Sequence, residues 1–152
     1  MENVSGVVVQ IDNIQSLMAK KAKLIKELKE TDKEIEEIQS KCNHIPVVLG
    51  FYGSYLCRDS SICECLLCRE DHPEGYEYKG IDASYYKSRM YGHGAFYNQK
   101  DERMENIQNT IKYLADKNPE MTVEELIDSM DRIITEDVET EKKVLEKIRN
   151  NN

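Results

Sequence analysis

Apolar residues early in the chain recur at Ile14, Leu17, Leu24, Leu28, Ile35, Ile38 and Cys42, in steps of 3, 7, 4, 7, 3 and 4. That is an a/d heptad register with two polar seam positions, Lys21 and Thr31, and neither Pro nor Gly interrupts it. The spacing predicts one long helix from about Asn13 to Ser40. Heptads sustained over about four repeats favour a coiled coil, in which polar seam residues lower stability but set register or strand number. The seam can close on a second chain or on the chain's own C-terminal helices.

Beyond the helix the period changes. Residues 45–67 read as strands: "VVLGFY" and "YLC" flank Gly53-Ser54, a candidate two-residue hairpin loop. A second turn is expected at Arg58 to Ser61, and "ICECLL" makes a short return strand. From 70 to 99, Pro73, Gly75, Gly80, Gly92 and Gly94 punctuate a Tyr-rich stretch, with a turn of helix around Ala83–Met90. Its aromatics, in 76–97, either pad a small core or form a recognition surface. From Lys100 the helical period returns in Met104, Ile107, Ile111 and Leu114. Asn118-Pro119 ends that helix, because the residue before proline is pushed out of helical geometry. Thr122 followed by Glu125 has capping-box spacing. Leu126, Met130, Ile133, Ile134, Val144, Leu145 and Ile148 then continue at helical spacing, and the "RNNN" tail is expected to fray.

These changes of period predict four segments. Residues 1–41 form a coiled-coil-like helix, 42–70 a metal-binding β-hairpin, 71–99 an irregular Tyr/Gly-rich segment, and 100–152 a C-terminal helical region. The fold class is mainly α with a small β insertion. Composition agrees: 33% of the 152 residues are charged and 39% hydrophobic, more charge and less core than a compact globule carries.

Net charge is -8, and no segment is strongly basic. Residues 1–41 hold seven Lys/Arg against eight Asp/Glu, 42–99 five against seven, and 100–152 nine against fourteen. Direct nucleic-acid binding needs a basic surface, so it is not expected. The lysine run Lys20 to Lys33 reads as a solvated helix face. No stretch approaches the ~18 apolar residues of a membrane span, and "VSGVVVQI" lacks the flanks of a signal peptide. A soluble, cytoplasmic protein is expected.

All five cysteines fall between Cys42 and Cys68. An odd count in a reducing compartment makes a disulfide framework improbable and metal binding the leading use of clustered thiols. Cys42 and His44 form a Cys-x-His pair, and Cys65 and Cys68 form a Cys-x-x-Cys pair. Three thiolates and one imidazole are a familiar tetrahedral structural-zinc set. Cys63, Cys57 and His72 are alternative ligands, and Cys57 and Cys63 also suit buried strand positions. Free buried thiols and a redox Cys65-x-x-Cys68 pair are the competing readings. The latter lacks the βαβ context of a redox motif.

Residues 42–68 resemble a zinc ribbon-like module, with Cys42, His44, Cys65 and Cys68 in the ligand positions. The resemblance implies a structural Zn2+. It departs from the ribbon pattern in its Cys-x-His first pair, and in Arg69 where a glycine commonly follows the second pair. Such a metal would supply what a short middle segment cannot, about 10–16 kcal/mol in zinc-finger peptides.

Little points to catalysis. His72 and His93 read as loop residues, and no phosphate-binding, dinucleotide, nucleophile-elbow or His-Glu-x-x-His motif occurs. The expected function is a non-enzymatic, zinc-stabilised protein–protein interaction module, self-associating as a homodimer through residues 14–42. Three other classes remain, one of them an enzyme using His72 or His93 with nearby Tyr. A coiled coil joined to a zinc module and acidic helices is similar in architecture to bacterial factors that bind RNA polymerase, which would make this a regulator of nucleic-acid transactions. A small acidic inhibitor of a host enzyme is the third.

Overall fold

The computed structural model describes residues 3–51, 61–75, 78–91 and 99–151. The hairpin loop at Gly53-Ser54, the strand "YLC", Cys57 and His93 lie outside them. The chain divides into two units between Lys41 and Cys42.

The first unit is helix α1, Val4–Ser40. It begins nine residues before the position that periodicity predicts. Asn3 supplies the reason: its side-chain oxygen accepts from the Gly6 N–H at 2.8 Å, an N-cap that satisfies one of the helix's unpaired donors. Val7 lies one heptad before Ile14 and extends the seam. Gly6 and the β-branched valines have weak helix propensity, which hides this turn from a local reading. None of the residues of α1 is buried.

The second unit builds its core on a three-stranded sheet. Strand β1 (Pro46–Phe51) lies between β2 (Ser61–Cys65) and β3 (Ile81–Asp82). β1 alternates as a half-buried strand should, with Val47 and Leu49 fully buried and Val48 less so. Pro46 occupies the first strand position, where a missing N–H is tolerated. β2 returns antiparallel to β1 and sets Cys65 opposite Pro46. The register slips between Val48 and Gly50, so Leu49 forms a bulge. β3 runs parallel to β1 and pairs Ile81 with Val47. The close approach there needs Gly80, since a Cβ would stand 3.0 Å from the Pro46 carbonyl oxygen.

Three helices complete the unit: α2 (Ser88–Tyr91), α3 (Lys100–Lys117) and α4 (Val123–Asn150). α3 packs on β1 and α4 on β3. Met104 and Ile107 of α3 and Ile127, Met130 and Ile134 of α4 are buried against the sheet. Ile127, not Leu126, takes the inward position. Thr122 caps α4 by accepting from the Glu125 N–H at 3.2 Å, as the capping spacing predicts. The helix continues through Asn150, into the tail expected to fray. In the Tyr-rich segment, Tyr86 is buried in the core and Tyr78 packs against it, while Tyr85 is exposed.

Arg103 is fully buried at the start of α3. Its Nη1 donates to the carbonyls of Leu49 (3.2 Å), Ala83 (3.0 Å) and Ser84. The guanidinium therefore joins the β1 bulge to the residues just past β3, and satisfies carbonyls that lie away from water.

Candidate metal centre

The site forms where the two ends of the β1–β2 hairpin meet. Cys42 and His44 immediately precede β1, and Cys65 ends β2. The antiparallel register brings the Cys-x-His pair and the Cys-x-x-Cys pair together across 20 intervening residues. Leu66 N–H donates to the Ile45 carbonyl at 2.8 Å, extending the ladder one step beyond the strands. The chain then turns tightly, with Arg69 N–H on the Cys65 carbonyl (3.0 Å) and Cys65 N–H on the Glu70 carbonyl (2.9 Å). That turn returns Cys68 to the cluster.

The ligand atoms of Cys42, His44, Cys65 and Cys68 all lie within 4.8 Å of one another. Cys42 Sγ is 3.7 Å from Cys65 Sγ, and Cys68 Sγ is 3.4 Å from His44 Nδ1. A tetrahedral ion with metal–sulfur bonds of ~2.3 Å and a metal–nitrogen bond of ~2.0 Å has edges of roughly 3.8 Å and 3.6 Å. Two observed separations match those edges, so the cluster fits a four-coordinate metal. Three of the four residues are buried and Cys42 is half-buried.

Backbone amides point at the sulfurs. Ile45 and Leu67 N–H donate to Cys65 Sγ at 3.4 and 3.3 Å, and His44 N–H donates to Cys42 Sγ at 3.4 Å. Burial pushes the Cys65 thiol up. Hydrogen bonds from the Cys68 backbone, the His44 side chain and the Ile45 and Leu67 backbones outweigh it and bring the thiol down to about 7. Cys68 is pushed up to about 12, first by burial, then by its hydrogen bonds with Cys42 and Cys65 and the Cys65 charge, despite a backbone hydrogen bond from Glu70. One thiol is thus readied as a thiolate and its neighbour holds its proton.

Two features support the ligand set, and the glycine commonly found where Arg69 stands is the one sequence signal for either. His44 Nε2 lies 3.0 Å from Glu70 Oε2, the carboxylate–histidine arrangement that orients a metal-binding imidazole. Arg69 adopts φ 64°, the left-handed conformation that glycine takes most cheaply. Here its side chain is anchored: Nε donates to Glu64 Oε1 at 2.7 Å and Nη2 to Asp101 Oδ1 at 2.5 Å. Glu64, buried beside Cys65, is also paired with Lys100. Gln108 Nε2 donates to the Leu66 carbonyl at 2.8 Å. Helix α3 therefore buttresses the Cys65–Cys68 turn from one side.

Of the alternative ligands, Cys63 and His72 stand apart from the cluster, and Cys57 lies outside the described residues. Cys63 lies opposite Val48 and lines a different groove with His72 and Pro73. Burial, then the Asp71 charge, raises its thiol, the opposite of what a reactive cysteine needs. His72 is exposed, 3.8 Å from Asp71 Oδ1. Cys63 and Cys65 pair in regular register with Val48 and Pro46, and of the two only Cys65, the last residue of β2, belongs to the cluster. Compared with family models, curated proteins and solved structures, the chain shows no significant match.

Proposed function

We propose that this chain is a zinc-stabilised, non-catalytic protein–protein interaction module that self-associates through the helix preceding its metal centre. The observation that carries the reading is the exposed seam of α1. Ile14, Leu17, Leu24, Leu28, Ile35 and Ile38 are 44–61% exposed. Scattered exposed leucines are ordinary, but an apolar stripe sustained along one helix face, broken only at Lys21 and Thr31, marks an interaction site. In proteins, helices draw most of their stability from packing an amphipathic face, and α1 buries no residue. A partner that covers the seam supplies that stability.

Zinc is the ion that three thiolates and one imidazole suit best. The four-ligand set saturates a tetrahedral ion and leaves no position for a reactive water, which supports a structural role. Among the described residues no helix is long and apolar enough to cross a membrane. Size-exclusion chromatography with light scattering tests the self-association, and native mass spectrometry of metal-replete protein reports zinc and subunits together. The expected result is one zinc per chain in a multimer. A monomer at high concentration overturns the reading.

A further inference from the structure

The seam of α1 is complementary to itself when reversed. Its a positions are Val7, Ile14, Lys21, Leu28 and Ile35, and its d positions are Gln10, Leu17, Leu24, Thr31 and Ile38. In an antiparallel pair each a residue faces a d residue of the second copy. One register sets Lys21 against Thr31 of the second copy, and the same step sets Ile14 against Ile38, Leu17 against Ile35 and Leu24 against Leu28. Within 14–38 the two polar seam residues then meet each other, and each remaining layer is apolar. Sliding by one heptad breaks this match. It puts Lys21 against Leu24 or Ile38, and Thr31 against Ile14 or Leu28.

The flanking charges favour the same arrangement. Antiparallel helices bring g positions against g positions, so Lys20 faces Glu34 of the second copy, twice by symmetry. One unfavourable contact, Glu27 with Glu27, falls at the two-fold axis, where Ile25 meets Ile25 on the opposite flank. The parallel alternative stacks Lys21 on Lys21 inside the seam. It also sets Glu27 beside Asp32 twice and forms no opposite-charge g–e pair, since Lys20 then faces Ile25 and Glu34 faces Gln39. Like charges so placed are destabilising and choose partner orientation.

From this complementarity we infer that α1 pairs antiparallel with α1 of a second copy of this chain, in the register that joins Lys21 to Thr31. The inference rests on the self-association reading above and adds its geometry. It places the two Ser40 residues about 40 Å apart along the axis, at 1.5 Å per residue. The two metal centres therefore begin at opposite ends of the paired helices.

Zero-length carbodiimide cross-linking of the intact, zinc-loaded protein tests the register. Lys20 and Glu34 of one helix are about 21 Å apart along its axis, so a Lys20–Glu34 bond forms only between chains. Lys23–Glu27, Lys26–Glu30 and Lys33–Glu37, one turn apart, serve as intrahelical controls. The expected product is a covalent dimer carrying the Lys20–Glu34 link. Charge reversal provides a second readout: Lys20→Glu weakens the dimer about five-fold, and adding Glu34→Lys restores it, as for two exposed ion pairs. A dimer by light scattering in which the controls couple but Lys20–Glu34 does not, or in which the double variant fails to recover, overturns the register and leaves self-association standing. A monomer overturns both.

Discussion

His44 and Glu70 are joined across the rim of the sulfur cluster, Nε2 to Oε2 at 3.0 Å. A carboxylate that accepts from Nε2–H leaves Nδ1, which faces Cys68 Sγ at 3.4 Å, able to bind a metal. The two act as a pair: the imidazole offers a ligand nitrogen, and the carboxylate selects which one.

Glu70→Ala should therefore weaken metal binding without abolishing it. Loss of such an outer partner costs 10- to 100-fold in affinity, on the order of two powers of ten at most. Competition against a chromophoric chelator reads the change directly. An unaltered affinity would mean the ring is held by packing alone.

Removing the metal should loosen the sheet. Cys65 is one of the four clustered residues and also the last residue of β2, opposite Pro46. A contribution of about 10–16 kcal/mol rivals the roughly 5–15 kcal/mol of a whole domain. Cys65→Ser, or excess chelator on the native protein, should collapse the amide dispersion of residues 42–45 and 61–75 in nuclear magnetic resonance spectra, on either side of the β1 strand that Arg103 holds. Retained dispersion would show that the helices alone hold the hairpin.

Metal uptake should release protons. In the metal-free cluster the Cys68 thiol is pushed up to about 12 and Cys65 is brought down to about 7. At pH 8 Cys65 is already mostly thiolate, and Cys68 must lose its proton to bind. Protons therefore compete with the metal, and affinity rises with pH across the neutral range. Calorimetric titrations in buffers of different ionisation enthalpy count the protons. Cys68→Ser should reduce the count, whereas pH-independent binding would argue against thiolate coordination.

Arg69 offers a test of strain against anchoring. Arg69→Ala keeps the left-handed backbone cost and removes the ion pair to buried Glu64, and should destabilise the protein by about 2 kcal/mol, a lost charged hydrogen bond. Arg69→Gly loses the same pair but relieves the backbone, recovering about 1 kcal/mol. Denaturant unfolding of both variants gives the difference. Equal stabilities would remove the strain from the account.

Some of this molecule is legible in its sequence because the signals are local. The heptad of α1 is a one-dimensional repeat, and paired Cys and His residues announce chelation through spacing alone. The cap at Thr122 and the stop at Asn118-Pro119 belong to the same kind. β3 is not legible: two residues, Ile81 and Asp82, join the sheet parallel to a strand more than thirty positions earlier, inside a stretch without periodicity. Glu70 carries no signal either, because an outer hydrogen bond depends on what the fold sets beside it, and at Arg69 only the usual glycine of that position points to the left-handed backbone. The first turns of α1 are hidden because valine and glycine argue against helix, while a single asparagine ahead of them argues for it.

Arg103 gives the second unit a fastening of a different kind from its candidate metal centre. A guanidinium keeps its proton under any condition a protein survives, so its grip on Leu49, Ala83 and Ser84 does not answer to acid or to chelators. Thiolates and imidazole do. Disassembly should thus run in a fixed order: a mildly acidified or metal-starved chain sheds its cation first, while the helices stay latched to the middle strand, ready to accept an ion again.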